Sequence, residues 1–202
     1  QYLVDMLEEG LTDYILDGQT FDLEGVRSMR ENALHVNTTP FTSYNWHGKG
    51  NFASLLDAVV LGATEVDVDF NANVVTHSDG RLLHGIGGWQ NCLASKCTIL
   101  PIPAFRDRIP VVVDEVTTLC GPGELIDVIV TERGIAINPL RRDLREKLRG
   151  SSLPLREMAD LKGEIEEICG GAPEKPELGE KVVAAIKWVD GTVIDSVREV
   201  KE

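Results

Sequence analysis

The sequence predicts an α/β fold, a core of short strands flanked by helices and closed by a C-terminal β-hairpin. Three patterns point there. Short runs rich in valine and isoleucine, Ala58–Leu61, Thr98–Ile102, Val111–Val113 and Val128–Val130, have the length and composition of strands covered on both faces. Apolar residues recur at helical spacing near both ends of the chain. VVAAIKWV and TVIDSVREV flank Asp190-Gly191, a dipeptide suited to a tight turn because it tolerates positive φ.

Taken in order, Leu3, Met6, Leu7, Leu11 and Tyr14 share one stripe, so a first helix is read over 2–17, ending near Gly18. The chain thus opens inside an amphipathic pattern with neither an initiator Met nor a signal-peptide pattern, and reads as a piece of a longer polypeptide. Asp22 as N-cap and Glu24 in the first turn mark a second helix to Glu31. Asn37–Gly50 reads as a loop, with Pro40, Gly48, Gly50 and the aromatics Phe41, Tyr44 and Trp46. The strand runs follow, then helices over Asp143–Arg149 and Leu155–Ile168. Gly170–Gly179, with Pro173 and Pro176, connects to the hairpin. Without repeats or low-complexity tracts, residues 1–202 read as one domain.

Hydrophobic residues make up 43% and charged residues 26% of the 202, which suits a globular core and argues against disorder. The formal charge is −13 and the pI about 4.7, so the surface repels phosphate backbones and anionic membranes. No apolar run approaches the ~18 residues needed to span a bilayer. Cys92, Cys97, Cys120 and Cys169 have no paired spacing and read as small buried hydrophobes in a reducing cytoplasm. His35, His47, His77 and His84 add no metal-ligand cluster, so no metal is expected.

Chemistry concentrates in LGATEVDVDFNANVVTHSDGRLLHGIGG, residues 61–88. It reads as two strands around a polar turn, then a glycine-rich loop. In that loop, Gly85, Ile86, Gly87 and Gly88 can bring backbone N–H groups close to a ligand and to a developing negative charge. A structural turn is the competing reading. Asp67, Asp69, Asn71 and Asn73 alternate as in a calcium loop, but Ala72 and Ser78 stand where that loop needs Gly and Glu. As strand residues they line either one side of a pocket or a solvated edge. Arg81, Lys96, Arg106 and Arg108 against Asp107 make a basic stretch suited to a phosphate-bearing ligand, or else ordinary surface charge. Glu132 reads as a carboxylate bonded to nearby backbone N–H groups rather than a catalytic one.

LGATEVD followed by GIGG resembles the second half of family I CoA-transferases, where a strand pair leads into a G-x-G-G loop at the acyl-CoA site. YLVDMLEEGL, FDLEGVRSMREN, RIPVVVDEVTT, PGELIDVIVTERGIAINP and DGTVIDSVREV are similar to the α-subunit family of bacterial citrate lyase, over nearly all 202 residues. The resemblance implies a CoA-transferase-like layered domain with a mixed, mostly parallel β core. It also implies a transferase exchanging acetyl for citryl on a thioester carrier, with citrate and an acetyl thioester as substrates. The partners implied are a lyase β subunit and a γ acyl-carrier subunit bearing a CoA-like phosphopantetheine arm (phosphoribosyl-dephospho-CoA), in a cytoplasmic oligomer that uses no metal, nucleic acid or membrane.

Gly87 and Gly88 would then form the oxyanion hole, while Gly85, Ile86, Asn71, Asn73, Arg81 and Lys96 would bind substrate and arm. Three features depart from the family pattern: Trp89 follows GIGG where small or polar residues are usual, alongside an unusual loop Tyr44–Gly50; the homologous N-terminal half of family α subunits is absent from these 202 residues; and the Glu-Asn-Gly-like segment with the family's nucleophilic Glu is not found. That segment is expected upstream of Gln1, leaving this piece inactive alone. A thioester hydrolase on the same fold and a non-catalytic scaffold are the competing functions.

Overall fold

The computed structural model describes residues 1–39 and 52–201, so the aromatics Phe41, Tyr44 and Trp46 of the expected loop lie outside the described residues. The chain divides into two compact units, Gln1–Phe52 and Ala53–Glu202, where the sequence reading draws a single domain.

In the first unit, helix α1 (Tyr2–Glu8) is followed by β1 (Ile15–Asp17), α2 (Leu23–Glu31) and β2 (His35–Asn37), with β1 and β2 parallel. The expected helix over 2–17 is therefore half as long. Gly10 takes φ +70, its N–H reaches Leu7 O at 3.2 Å, and Leu11 N–H reaches Met6 O at 2.8 Å. That is a Schellman cap, and it ends the helix before the apolar stripe does. The second helix starts as expected, with the Asp22 carboxylate accepting from Gly25 N–H at 2.7 Å.

The second unit holds a five-stranded sheet. Its strands are β3 (Val59–Val60), β6 (Thr98–Pro101), β10 (Val128–Thr131), β11 (Gly134–Ile137) and β12 (Leu155–Arg156), in spatial order β12-β11-β10-β6-β3. Only β10–β11 is antiparallel, so the core is mixed and mostly parallel. A smaller sheet, in order β9-β4-β5, joins β4 (Glu65–Asp67), β5 (Ala72–Asn73) and β9 (Val112–Val113). A two-stranded ribbon pairs β7 (Phe105–Arg106) with β8 (Ile109–Pro110).

Helix α5 (Met158–Cys169) buries Met158, Leu161 and Ile165 against β8, β9 and β11. One apolar cluster runs through these elements, with Val66, Leu100, Val112, Ile126, Ile129, Leu161 and Ile165 all excluded from solvent. Burial on this scale dominates stability, at ~25 cal/mol per Å² of apolar surface.

The terminal hairpin pairs β13 (Leu178–Lys187) with β14 (Val193–Val200). Its turn is one residue longer than an Asp-Gly reading implies. Gly191 N–H donates to Trp188 O at 2.9 Å and Trp188 N–H to Thr192 O at 2.7 Å. Only Gly191 has positive φ, +92, so Val189 and Asp190 form the turn and Gly191 the bulge that restores the strand twist.

Helix α4 (Arg142–Lys147) is preceded by a clamp, in which Arg141 meets Asp127 at 2.8 Å and Asp143 at 2.9 Å. The hydrogen bond from Arg141 holds the Asp143 carboxyl down to about 2. A carboxyl depressed on folding stabilises above its unfolded value of about 4, and that contribution disappears as pH falls through its folded value. The stability difference between the wild type and Arg141→Met should therefore shrink between pH 4 and 2. Urea midpoints measured across that range test it, and a pH-independent difference would refute it.

Candidate functional site

The site is assembled around the end of β3. Leu61 N–H still pairs with Ile99 O at 3.0 Å, and beyond it the chain leaves the sheet. Three successive carbonyls then accept from side chains: Gly62 O from Trp89 Nε1 at 2.9 Å, Ala63 O from Arg106 Nη2 at 2.8 Å and Thr64 O from Arg106 Nη1 at 2.6 Å. Thr64 in turn donates its N–H and its hydroxyl to Asn73 O, at 2.8 and 2.9 Å. Segment 62–64 is thereby fixed as a platform between the two sheets. Burial pulls the Arg106 guanidinium below its usual range, and the Glu65 charge opposes that shift.

The glycine loop lies beside this platform. Residues 75–83 double back, with His77 N–H on Arg81 O at 2.9 Å and Leu83 N–H on Val75 O at 2.7 Å, so Gly85 to Gly88 emerge at the end of the excursion. Ile86 is half-buried against the core and pins the loop, while Gly85 and Gly87 are exposed. Gly87 has φ +61, and a Cβ there would meet nothing within 4 Å. A side chain would strain the backbone and project into open space. The amides of Gly85, Gly87 and Gly88 donate to no acceptor among the described residues.

Trp89 is what ties the loop down. Its indole N–H holds Gly62 O, and its ring lies so close over Gly121 that a Cβ on Gly121 would sit 2.4 Å from it. Gln90, the next residue of the short helix α3 (Trp89–Cys92), donates to Cys120 O at 2.9 Å. The residue that departs from the family pattern in sequence is thus the anchor in structure. Arg106 and Trp89 are legible in the sequence only as a charge and an oddity, because their partners are backbone carbonyls 27 to 43 residues away.

The asparagines lie inward. Asn73 is fully buried, donating to Glu65 at 3.0 Å and to the Thr76 hydroxyl at 2.8 Å and accepting from Val75 and Thr76 N–H, each at 3.1 Å. Glu65 also accepts from Thr117 N–H at 2.9 Å. Asn71 donates to Asp67 at 3.0 Å and accepts from Gly123 N–H at 2.9 Å. Asp67 is buried, which pushes its carboxyl up against the lowering effect of its hydrogen bonds. It accepts from Asp69 and Asn71 N–H, closing a turn in which buried Phe70 takes φ +68. These alternating residues bond to one another and to backbone.

Of the basic stretch, exposed Arg81 faces Asp79 at 3.8 Å and Lys96 bonds Asp57 at 2.6 Å, which lowers the Asp57 carboxyl. Arg106, with His77 and Leu83, lines a cavity of about 560 Å³. Arg108 has no ion pair among the described residues and lines an adjoining cavity of about 360 Å³ against Cys169–Glu174. Glu132 accepts from Ala104 N–H at 3.0 Å, the backbone role expected of it. Among the described residues no group of His, Cys, Asp and Glu is placed to hold a metal ion. No described helix is long and apolar enough to cross a membrane. All four cysteines are free, and burial pushes the Cys120 thiol up to about 11.

Residues 1–200 match the family model "Citrate lyase, alpha subunit (CitF)". The chain is 40% identical over 200 residues to the citrate lyase alpha chain of Klebsiella pneumoniae, covering 98% of this chain and 39% of that one. Against the corresponding chain of Escherichia coli strain K12 it is 39% identical over 201 residues, covering 99% and 39%. A protein from Streptococcus mutans described as the alpha subunit of citrate lyase, solved in complex with citrate, superimposes with a TM-score of 0.94. It is 41% identical and covers 100% of this chain and 40% of its own. The chain thus spans about two fifths of the length of these relatives. With the β core, the glycine loop and its platform in the same order as the sequence motifs, this chain belongs to the family of citrate lyase alpha subunits.

Proposed function

We propose that this chain supplies one wall of an acyl-transfer site that exchanges acetyl for citryl on a thioester carrier. The observation that carries the reading is the open GIGG loop, where the Gly87 and Gly88 amides donate to no acceptor among the described residues, beside a rigid 62–64 platform. In the exchange, a citrate carboxylate attacks the acetyl thioester carbonyl, and the resulting oxyanion is held by the loop amides. A donor of this kind contributes about 3 kcal/mol to the transition state. Collapse expels the carrier thiolate and leaves a citric–acetic mixed anhydride. That thiolate then attacks the citryl carbonyl, forming the citryl thioester and releasing acetate.

The chain's own part is to fix the loop, through Trp89 and Arg106, and to meet the anionic end of a CoA-like arm through the stretch Arg81–Arg108, where Arg106 is engaged by the carbonyls of Ala63 and Thr64 and Arg108 makes no ion pair among the described residues. Asn73 acts from behind, its carbonyl holding Thr64 of the platform, and Asn71 steadies the turn at Asp67. The implied partners are the lyase β subunit and the γ carrier subunit, in a cytoplasmic oligomer.

The test is exchange by the full-length subunit with acetylated carrier and citrate, alongside desulfo-CoA titration at two ionic strengths. Citryl-carrier should form, and desulfo-CoA affinity should fall with salt. The 202-residue piece alone should turn over nothing, because groups are needed on both sides of the thioester. Free acetate without citryl-carrier would make the chain a hydrolase. No reaction in the full-length protein would make it a scaffold.

A further inference from the structure

The strongest positive feature of this acidic chain lies at the far edge of the five-stranded sheet from the glycine loop. Between Arg141 and Arg156 stand six cations, Arg141, Arg142, Arg145, Lys147, Arg149 and Arg156, against the two acids Asp143 and Glu146, in a chain whose net charge is −13. Helix α4, which carries three of them, buries none of its residues, and Leu140 and Leu153 beyond its ends are 67% and 44% exposed. A six-residue helix is marginal by itself in water. Between α4, the edge strand β12 and its neighbour β11 runs a groove of about 490 Å³. Its floor is Ile135, Ile137 and Leu155 and its rim Arg145, Arg149 and Arg156.

Each rim arginine holds one acid of this chain: Arg145 holds Glu157, Arg149 holds Glu146 at 2.9 Å and Arg156 holds Glu164 at 2.7 Å. The Arg145–Glu157 and Arg149–Glu146 pairs are solvent-exposed and the Arg156–Glu164 pair is half-buried; exposed pairs contribute little and exchange readily for other carboxylates. A single small anion would gain little by displacing them. A surface presenting several carboxylates around an apolar anchor would engage the rim, the floor and Arg142 and Lys147, which have no ion pair among the described residues, together. A nucleic acid is disfavoured, because it would run off this patch onto the acidic remainder.

We propose that this groove docks an acidic face of the protein that carries the thioester. The inference rests on the acyl-transfer reading, which requires a protein-borne arm to be brought to the glycine loop. Four inter-strand spacings separate β12 from β3, roughly 19 Å at ~4.8 Å each. A protein seated at one edge of the sheet therefore needs a long flexible arm to reach the other.

The experiment compares two substrates in the full-length subunit, acetylated carrier protein and acetyl-CoA, each with citrate. Arg145→Glu with Arg149→Glu should raise KM for the carrier at least tenfold and leave its kcat, and the exchange with acetyl-CoA, unchanged. Glu157→Gln with Asp160→Asn, which removes acids from the groove, should lower the carrier KM and steepen its salt dependence. An unchanged carrier KM in both double variants overturns the docking proposal while the exchange reading stands. No exchange with either substrate in the wild type overturns the exchange reading itself. Equal losses with carrier and acetyl-CoA would show that the arginines act on the fold or the reaction, and would also overturn the docking proposal.

Discussion

Replacing Gly87 with valine in the full-length subunit is expected to lower acyl exchange by roughly 10²–10³-fold while the protein stays folded. The backbone at this position has φ +61, which an L side chain occupies at a cost of about 1–2 kcal/mol. That cost is local, because a Cβ there meets no neighbour and nothing in the core need move. What changes is the face of the loop. A branched side chain would stand where the thioester must approach the Gly87 and Gly88 amides, and would turn those amides away from the oxyanion. Steady-state exchange, with circular dichroism and urea midpoints as fold controls, decides the matter. Wild-type rates in a folded Gly87→Val protein would remove the loop from the chemistry.

Asn73→Ala should produce the largest loss of stability among single side-chain truncations in the smaller sheet, about 3–5 kcal/mol. The amide serves four partners in a fully buried position, and its removal strands the N–H groups of Val75 and Thr76 and one bond to Glu65. Each unsatisfied buried group costs about 1–3 kcal/mol. Against a total of about 5–15 kcal/mol, that brings the fold near its threshold.

Asn73→Asp distinguishes the network from simple packing. It keeps the acceptor for the two N–H groups but sets a second carboxylate against Glu65, so folding raises the apparent pKa of the pair. The ionised pair is penalised in the fold, so this variant should be most stable below about pH 4 and lose stability as pH rises. Urea unfolding across pH 4–8 measures both effects. A loss under 1 kcal/mol in Asn73→Ala would mean that the network is dispensable.

Much of the architecture was legible because it is local or periodic. The valine and isoleucine runs became strands, Asp22 capped its helix, and the hairpin closed around Asp190-Gly191. The misreadings are cases where a local cap overrode periodicity. The stripe Leu3 to Tyr14 continues past Gly10, but a left-handed glycine with two capping hydrogen bonds ends the helix, and Ile15–Asp17 becomes a strand. Alternation in Asp67 to Asn73 reads as one face of a pocket or a solvated edge. Burial instead turns these side chains toward each other, since polar groups removed from water must find partners.

By itself, then, the sequence determined the fold class, the family and the position of a glycine-rich loop, because composition, periodicity and motif order are carried by the linear chain. Only the tertiary structure decided what holds that loop. Trp89 and Arg106 reach backbone carbonyls across 27 to 43 residues, and a carbonyl has no residue type to read. It also decided which charges remain available. Lys96 meets Asp57 across 39 residues, Arg108 meets no acid among the described residues, and Arg145, Arg149 and Arg156 gather on a groove that exists only once β12 closes the sheet.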